Sequence, residues 1–102
     1  MGFFSGYGTI GKIYSKLNVI ERDLIEMRKS LDNPGQRYRF NSVSSSGLVH
    51  LKELMAIVAD SNSTVKSADF EFAGRKMPIE EHLFNISEYM KQMMMEYTYN
   101  RR

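Results

Sequence analysis

The sequence predicts a mainly α-helical fold, a three-helix bundle with helices over about residues 9–31, 46–62 and 78–99 and a small β-hairpin around 69–77. Three observations carry this: an unbroken heptad seam from Ile10 to Leu31, a broad apolar face at helical spacing from Leu48 to Val58, and an apolar stripe that begins behind Pro78 and ends near Tyr97. The 102 residues suit a single helical domain over 1–102, large enough to bury a modest core. The absence of cysteine rules out disulfides, thiolate metal sites and thiol nucleophiles.

In the first helix Ile10, Ile13, Leu17, Ile20, Leu24, Met27 and Leu31 follow in steps of three and four, which places them on one stripe. Lys12, Ser15, Arg22, Asp23, Glu26 and Lys29 fall mostly on the other side. Thr9 is a suitable N-cap and Asn33-Pro34-Gly35 a stop, which leaves residues 1–8 as a flexible N-terminal arm. Burying the seam contributes roughly 10–20 kcal/mol gross, offset by the backbone entropy of ordering it, so the helix requires a partner surface in this chain or another. Bundles and coiled coils share the pattern.

Residues 32–46 read as a long loop, because Arg37-Tyr38-Arg39-Phe40 is followed by Asn41-Ser42-Val43-Ser44-Ser45-Ser46-Gly47, rich in turn formers and without a helical period. A serine there can cap the second helix near Ser46, whose apolar face is Leu48, Leu51, Leu54, Met55, Ile57 and Val58. Its end falls between Asp60 and Ser67, since Asp60 to Thr64 suits a turn while Asn62 and Val65 continue the rhythm. Phe70-Glu71-Phe72 alternates as a strand does, Ala73-Gly74 permits a tight turn, and Arg75-Lys76-Met77 returns. Pro78 then suits a first helical turn, Glu80 and Glu81 the positive end of the helix dipole, and Arg101-Arg102 the negative end. The third stripe is Ile79, Leu83, Ile86, Met90, Met93 and Tyr97, widened by Tyr89 and Met94, with Phe84, Met95 and Tyr99 nearly opposite.

That apolar patch behind the core face points to a non-catalytic protein–protein interaction module, adaptor-, accessory- or inhibitor-like, that self-associates as a homo-oligomer or binds a protein partner. Phe84, Met95 and Tyr99 are its candidate contact residues, with Met94 beside them in a methionine-rich segment of adaptable side chains. An alternative is nucleic-acid binding by Arg37, Tyr38 and Arg39, which interleave cations with an aromatic ring, joined by Arg75, Lys76, Arg101 and Arg102. The formal net charge of +2 argues against a dedicated phosphate-tracking surface.

Gly6, Gly8 and Gly11 spell G-x-G-x-x-G, but a dinucleotide site needs a preceding strand, and a phosphate loop needs Ser or Thr after Lys12, where this chain has Ile13. His50 with Glu53 lies one helical turn apart and His82 stands alone, short of the three protein ligands of a catalytic zinc. The spacing of Arg75 and His82 resembles the Arg-to-His motif of HEPN-type ribonucleases, which are small helical domains; that resemblance, of two residues, implies a small hydrolase centred on His82. The residues alone predict no cofactor, metal, catalytic residue or small-molecule substrate. No segment approaches the ~20 apolar residues of a membrane span, and no basic stretch precedes a long apolar run as in a signal peptide. Gly6 stands where N-myristoylation of Gly2 would want Ser or Thr. The expected location is therefore cytoplasmic, with export by a route lacking a cleavable signal peptide left open.

Overall fold

The seam read from Ile10 to Leu31 forms part of one continuous helix, α1 (Gly2–Asp32), in the computed structural model, which describes residues 2–99, with side chains from residue 8 onward. A 3-10 turn (Pro34–Arg39) leads to α2 (Phe40–Ala59), a short α3 (Ser63–Ser67), strands β1 (Asp69–Phe72) and β2 (Arg75–Pro78), and α4 (Ile79–Tyr99). Among the described residues the chain is thus mainly helical, with four α-helices and one two-stranded antiparallel hairpin.

Ile13, Leu17, Ile20, Leu24, Met27 and Leu31 are all buried, and Ile10 packs half-buried at the end of the stripe. The arm expected over residues 1–8 is helical from Gly2, and Met1 lies outside the described residues. Each glycine there costs about 1 kcal/mol relative to alanine, but adding turns to an existing helix avoids the unfavourable nucleation step.

The long loop expected over 32–46 is the larger correction: only Asn33 and the 3-10 turn separate α1 from α2, which begins at Phe40. The buried residues of α2 are Phe40, Ser44, Gly47, Leu51, Leu54 and Val58, again in steps of four and three. Two members of this seam are small instead of apolar, and that is why the run reads as a loop. They are positions of close approach: a Cβ built on Gly47 would lie 3.2 Å from Met90 Cε on α4 and 3.4 Å from Asp23 Cβ on α1. Ser44 satisfies its hydroxyl by donating to the Asn41 carbonyl at 3.1 Å, so it enters the interface without an unpaired polar group.

α2 ends at Ala59, before the expected Asn62. Asn62 instead caps α3, its side-chain oxygen accepting from the Val65 N–H at 3.0 Å, while Val65 itself is buried. The hairpin turns through Ala73 (φ 55°) and Gly74 (φ 78°), the two positive-φ residues that match the twist of a two-residue turn, with Phe70 opposite Met77 and Phe72 opposite Arg75.

Cross-links fix direction. Arg39 with Glu26, His50 with Asp23 and Lys16 with Glu53 set α2 antiparallel to α1. Tyr14 meets Phe70 with ring centroids 5.3 Å apart, while Arg28 binds Glu96, so α4 runs in the same direction as α1. α1 makes its most extensive contact with α2, and α4 packs against both.

Candidate partner-binding surface

Helix α4 has two apolar faces. Ile79, His82, Ile86, Met90 and Met93 are buried toward α1 and α2. About half a turn away Phe84, Met95 and Tyr99 are 66%, 60% and 72% exposed, as their angular positions require. Met94 sits between the two faces, half-buried against the core.

The outward stripe is not continuous. Glu88 and Lys91 occupy it between Phe84 and Met95 and form an exposed ion pair at 3.3 Å. The 11 residues from Phe84 to Met95 put those side chains about 16 Å apart along the axis. Met94, Met95, Thr98 and Tyr99 line a shallow depression of about 390 Å³ at the C-terminal end, and Phe84 projects near the other end.

A second opening, which the sequence does not announce, is a groove of about 700 Å³ between α1 and α4, overhung by the hairpin. Leu24, Ile25, Phe72, Ile86 and Tyr89 form its apolar walls, and Ile25 is 47% exposed. Ile25 follows the seam residue Leu24 by one position, which rotates it by about 100° from Leu24 and onto the lip of the groove. Arg28 closes one end, forming a fork onto Glu96 at 2.7 and 3.0 Å while also holding Asp32 at 2.8 Å. Those hydrogen bonds raise the Arg28 pKa above its already high ordinary value; reciprocally, the bond from Arg28 holds the Glu96 carboxyl below its ordinary range against the opposing effect of desolvation.

His82 lines this groove but is buried, with Nε2 2.6 Å from the Phe70 carbonyl oxygen and its ring edge-on to Phe72. It ties the hairpin to α4. Arg75, its partner in the ribonuclease-like spacing, is exposed on β2 at the border of the same groove. His50 pairs through Nδ1 with Asp23 Oδ2 at 2.6 Å, and Glu53, expected beside it, is turned to Lys16, whose hydrogen bond lowers the Glu53 pKa. Among the described residues no cluster of three or more His, Cys, Asp or Glu side chains could hold a metal ion. No helix among them is long and apolar enough to cross a membrane.

The basic residues of the nucleic-acid alternative fall on separate elements. Arg37, Tyr38 and Arg39 belong to the 3-10 turn, beside the stacking of Phe40 on Tyr97 (centroids 4.6 Å apart); Arg75 and Lys76 are on the hairpin, which is held at His82. From His82 to Tyr97 is about 22 Å along α4. Tyr38 is 80% exposed, but Arg39 reaches Glu26 at 3.5 Å, so part of the local positive charge is neutralised within the chain. Arg101 and Arg102 lie outside the described residues.

No protein family, curated protein or solved structure matches the chain.

Proposed function

We propose that the chain is a non-catalytic protein–protein interaction module, in which a three-helix bundle of α1, α2 and α4 serves as a rigid support for an apolar recognition face. The observation that carries this reading is the two-sidedness of α4: its inner face is already buried, yet Phe84, Met95 and Tyr99 remain turned outward. Scattered exposed apolar side chains are ordinary on a protein surface, but here Met95 and Tyr99 share one depression with Met94, and Phe84 stands on the same face of the same helix, giving two anchor points on either side of the Glu88–Lys91 pair. The half-exposed Tyr89 and Ile25 of the α1–α4 groove add a second apolar surface of the same character.

The test is association. The purified chain, examined by light scattering at high micromolar concentration and with binding partners identified by native mass spectrometry, should associate with itself or with a defined protein. Changing Phe84, Met95 and Tyr99 together to serine should abolish that association and leave the helical circular dichroism spectrum unchanged, since none of the three supports the core. A parent chain that stays monomeric and retains no partner refutes the reading.

A second reading is favoured by the exposure of Tyr38 between two arginines, an arrangement suited to stacking an unpaired base. It requires retardation of single-stranded oligonucleotides at low salt and loss of that retardation on Tyr38→Ala; no retardation eliminates it.

A further inference from the structure

Resting on the interaction reading, we infer that the partner at the outer face of α4 is a second copy of this chain, packed with its own α4 antiparallel about a two-fold axis that crosses the helix midway between Phe84 and Met95. The argument is self-complementarity. An antiparallel pair centred there brings each position of one helix opposite the position equally far beyond the centre in the other. Phe84 then faces Met95 of the second copy, Glu88 faces Lys91, and both contacts occur twice.

The spacing supports this arrangement independently of the charges. Phe84, Glu88, Lys91 and Met95 are separated by steps of four, three and four, the rhythm of a seam that stays on one side of a helix along its length. The same rhythm builds the chain's internal seams on α1 and α2. The outer stripe of α4 is therefore a second seam with charged residues at its middle and apolar residues at its ends.

Shape supports it as well. Phe84 is a projecting ring, 66% exposed. The second copy's Phe84 would fall opposite Met95, at the near end of the depression lined by Met94, Met95, Thr98 and Tyr99, whose thioethers adapt readily to an aromatic ring. One chain thus carries a knob and a hole on opposite sides of a point through which a two-fold axis can pass. Glu88 and Lys91, which interrupt the apolar stripe of a single copy, become the element that sets orientation: a parallel pair in register would place Glu88 on Glu88 and Lys91 on Lys91.

The absence of cysteine makes the register directly readable. Phe84→Cys and Met95→Cys are prepared as separate variants and oxidised alone or mixed. The mixture should give a disulfide-linked dimer on a non-reducing gel while keeping one intact Phe84–Met95 contact, and each variant alone should give none, because like positions lie about 16 Å apart. In parallel, Glu88→Lys and Lys91→Glu should each weaken self-association about tenfold in sedimentation equilibrium, and mixing the two should restore it through opposite charges. Cross-linking of either cysteine variant with itself, or charge reversals that leave association unchanged, overturns the inference and assigns the dimer to another face, with the interaction reading intact. A monomeric parent that binds a different protein through Phe84 and Met95 likewise removes only the inference; a monomer without partner removes both.

Discussion

Gly47 is where the packing of this chain is most exposed to a decisive perturbation. It lies within α2, buried, at the point where α1 and α4 both approach. A Cβ there would meet Met90 Cε at 3.2 Å, Asp23 Cβ at 3.4 Å and Met27 Sδ at 3.6 Å. The first contact is the free end of a flexible side chain and can withdraw by a few tenths of an ångström; the second is fixed to the α1 backbone. Gly47→Ala therefore gains about 1 kcal/mol from helix propensity and from the smaller entropy of the unfolded chain, and loses a comparable amount in displacing Met90. Its stability should stay within about 1 kcal/mol of the parent. Gly47→Leu places three further carbons where the first already touches two other helices. Overpacking of that size should cost about 3 kcal/mol or more, a fall in melting temperature of about 12–24 °C for a domain this small. The assay is thermal and urea unfolding followed by circular dichroism. A leucine variant as stable as the parent would refute the close approach and favour a loop through residue 46, since Gly47 would then stand in the exposed first turn of its helix.

Phe40→Ala should lose about 3–5 kcal/mol in the same unfolding assay, because Phe40 is 1% exposed, stacks on Tyr97 and anchors the start of α2; a loss under about 1 kcal/mol would place Phe40 in an exposed connection. Glu96 has its carboxyl pKa lowered from the ordinary 4.5 by Arg28, so the folded form binds fewer protons there than the unfolded chain does. Its stabilising contribution is complete above that ordinary value and is lost as pH falls through the lower folded-state value. The side chain is 43% exposed, which limits the effect to about 0.5–1 kcal/mol; Glu96→Gln should show this deficit at neutral pH and none in strong acid, and a deficit independent of pH would contradict the assignment. Ala73, at φ 55°, occupies a backbone region disfavoured for a residue with a Cβ, so Ala73→Asn should stabilise the chain by about 0.5–1 kcal/mol, measured as a raised melting temperature.

The outward position of Phe84, Met95 and Tyr99 was legible in the sequence because it depends only on the angle between residues on one helix, which the 3.6-residue period sets without reference to any neighbour. The groove beside Ile25 was not, since it exists only through the distance between α1 and α4. Likewise, the basic residues at 37–39 and 75–76 look like a single reservoir of charge until the fold assigns them to different elements. His82 on its own offered chemistry; burial and the Phe70 carbonyl give it the work of holding a hairpin.

Local periodicity by itself determined that there are three long helical segments and fixed the seam of α1, because both follow from side chains that must leave water on one face of a regular backbone. The turn at Ala73-Gly74 was legible separately, from the freedom of a glycine to take positive φ. Periodicity failed over residues 40–47, where the seam passes through Ser44 and Gly47. Small residues carry almost no hydrophobic signal, and their value lies in letting other helices come near. That value is undefined until those helices are present, so the start of α2 was decided by tertiary packing alone.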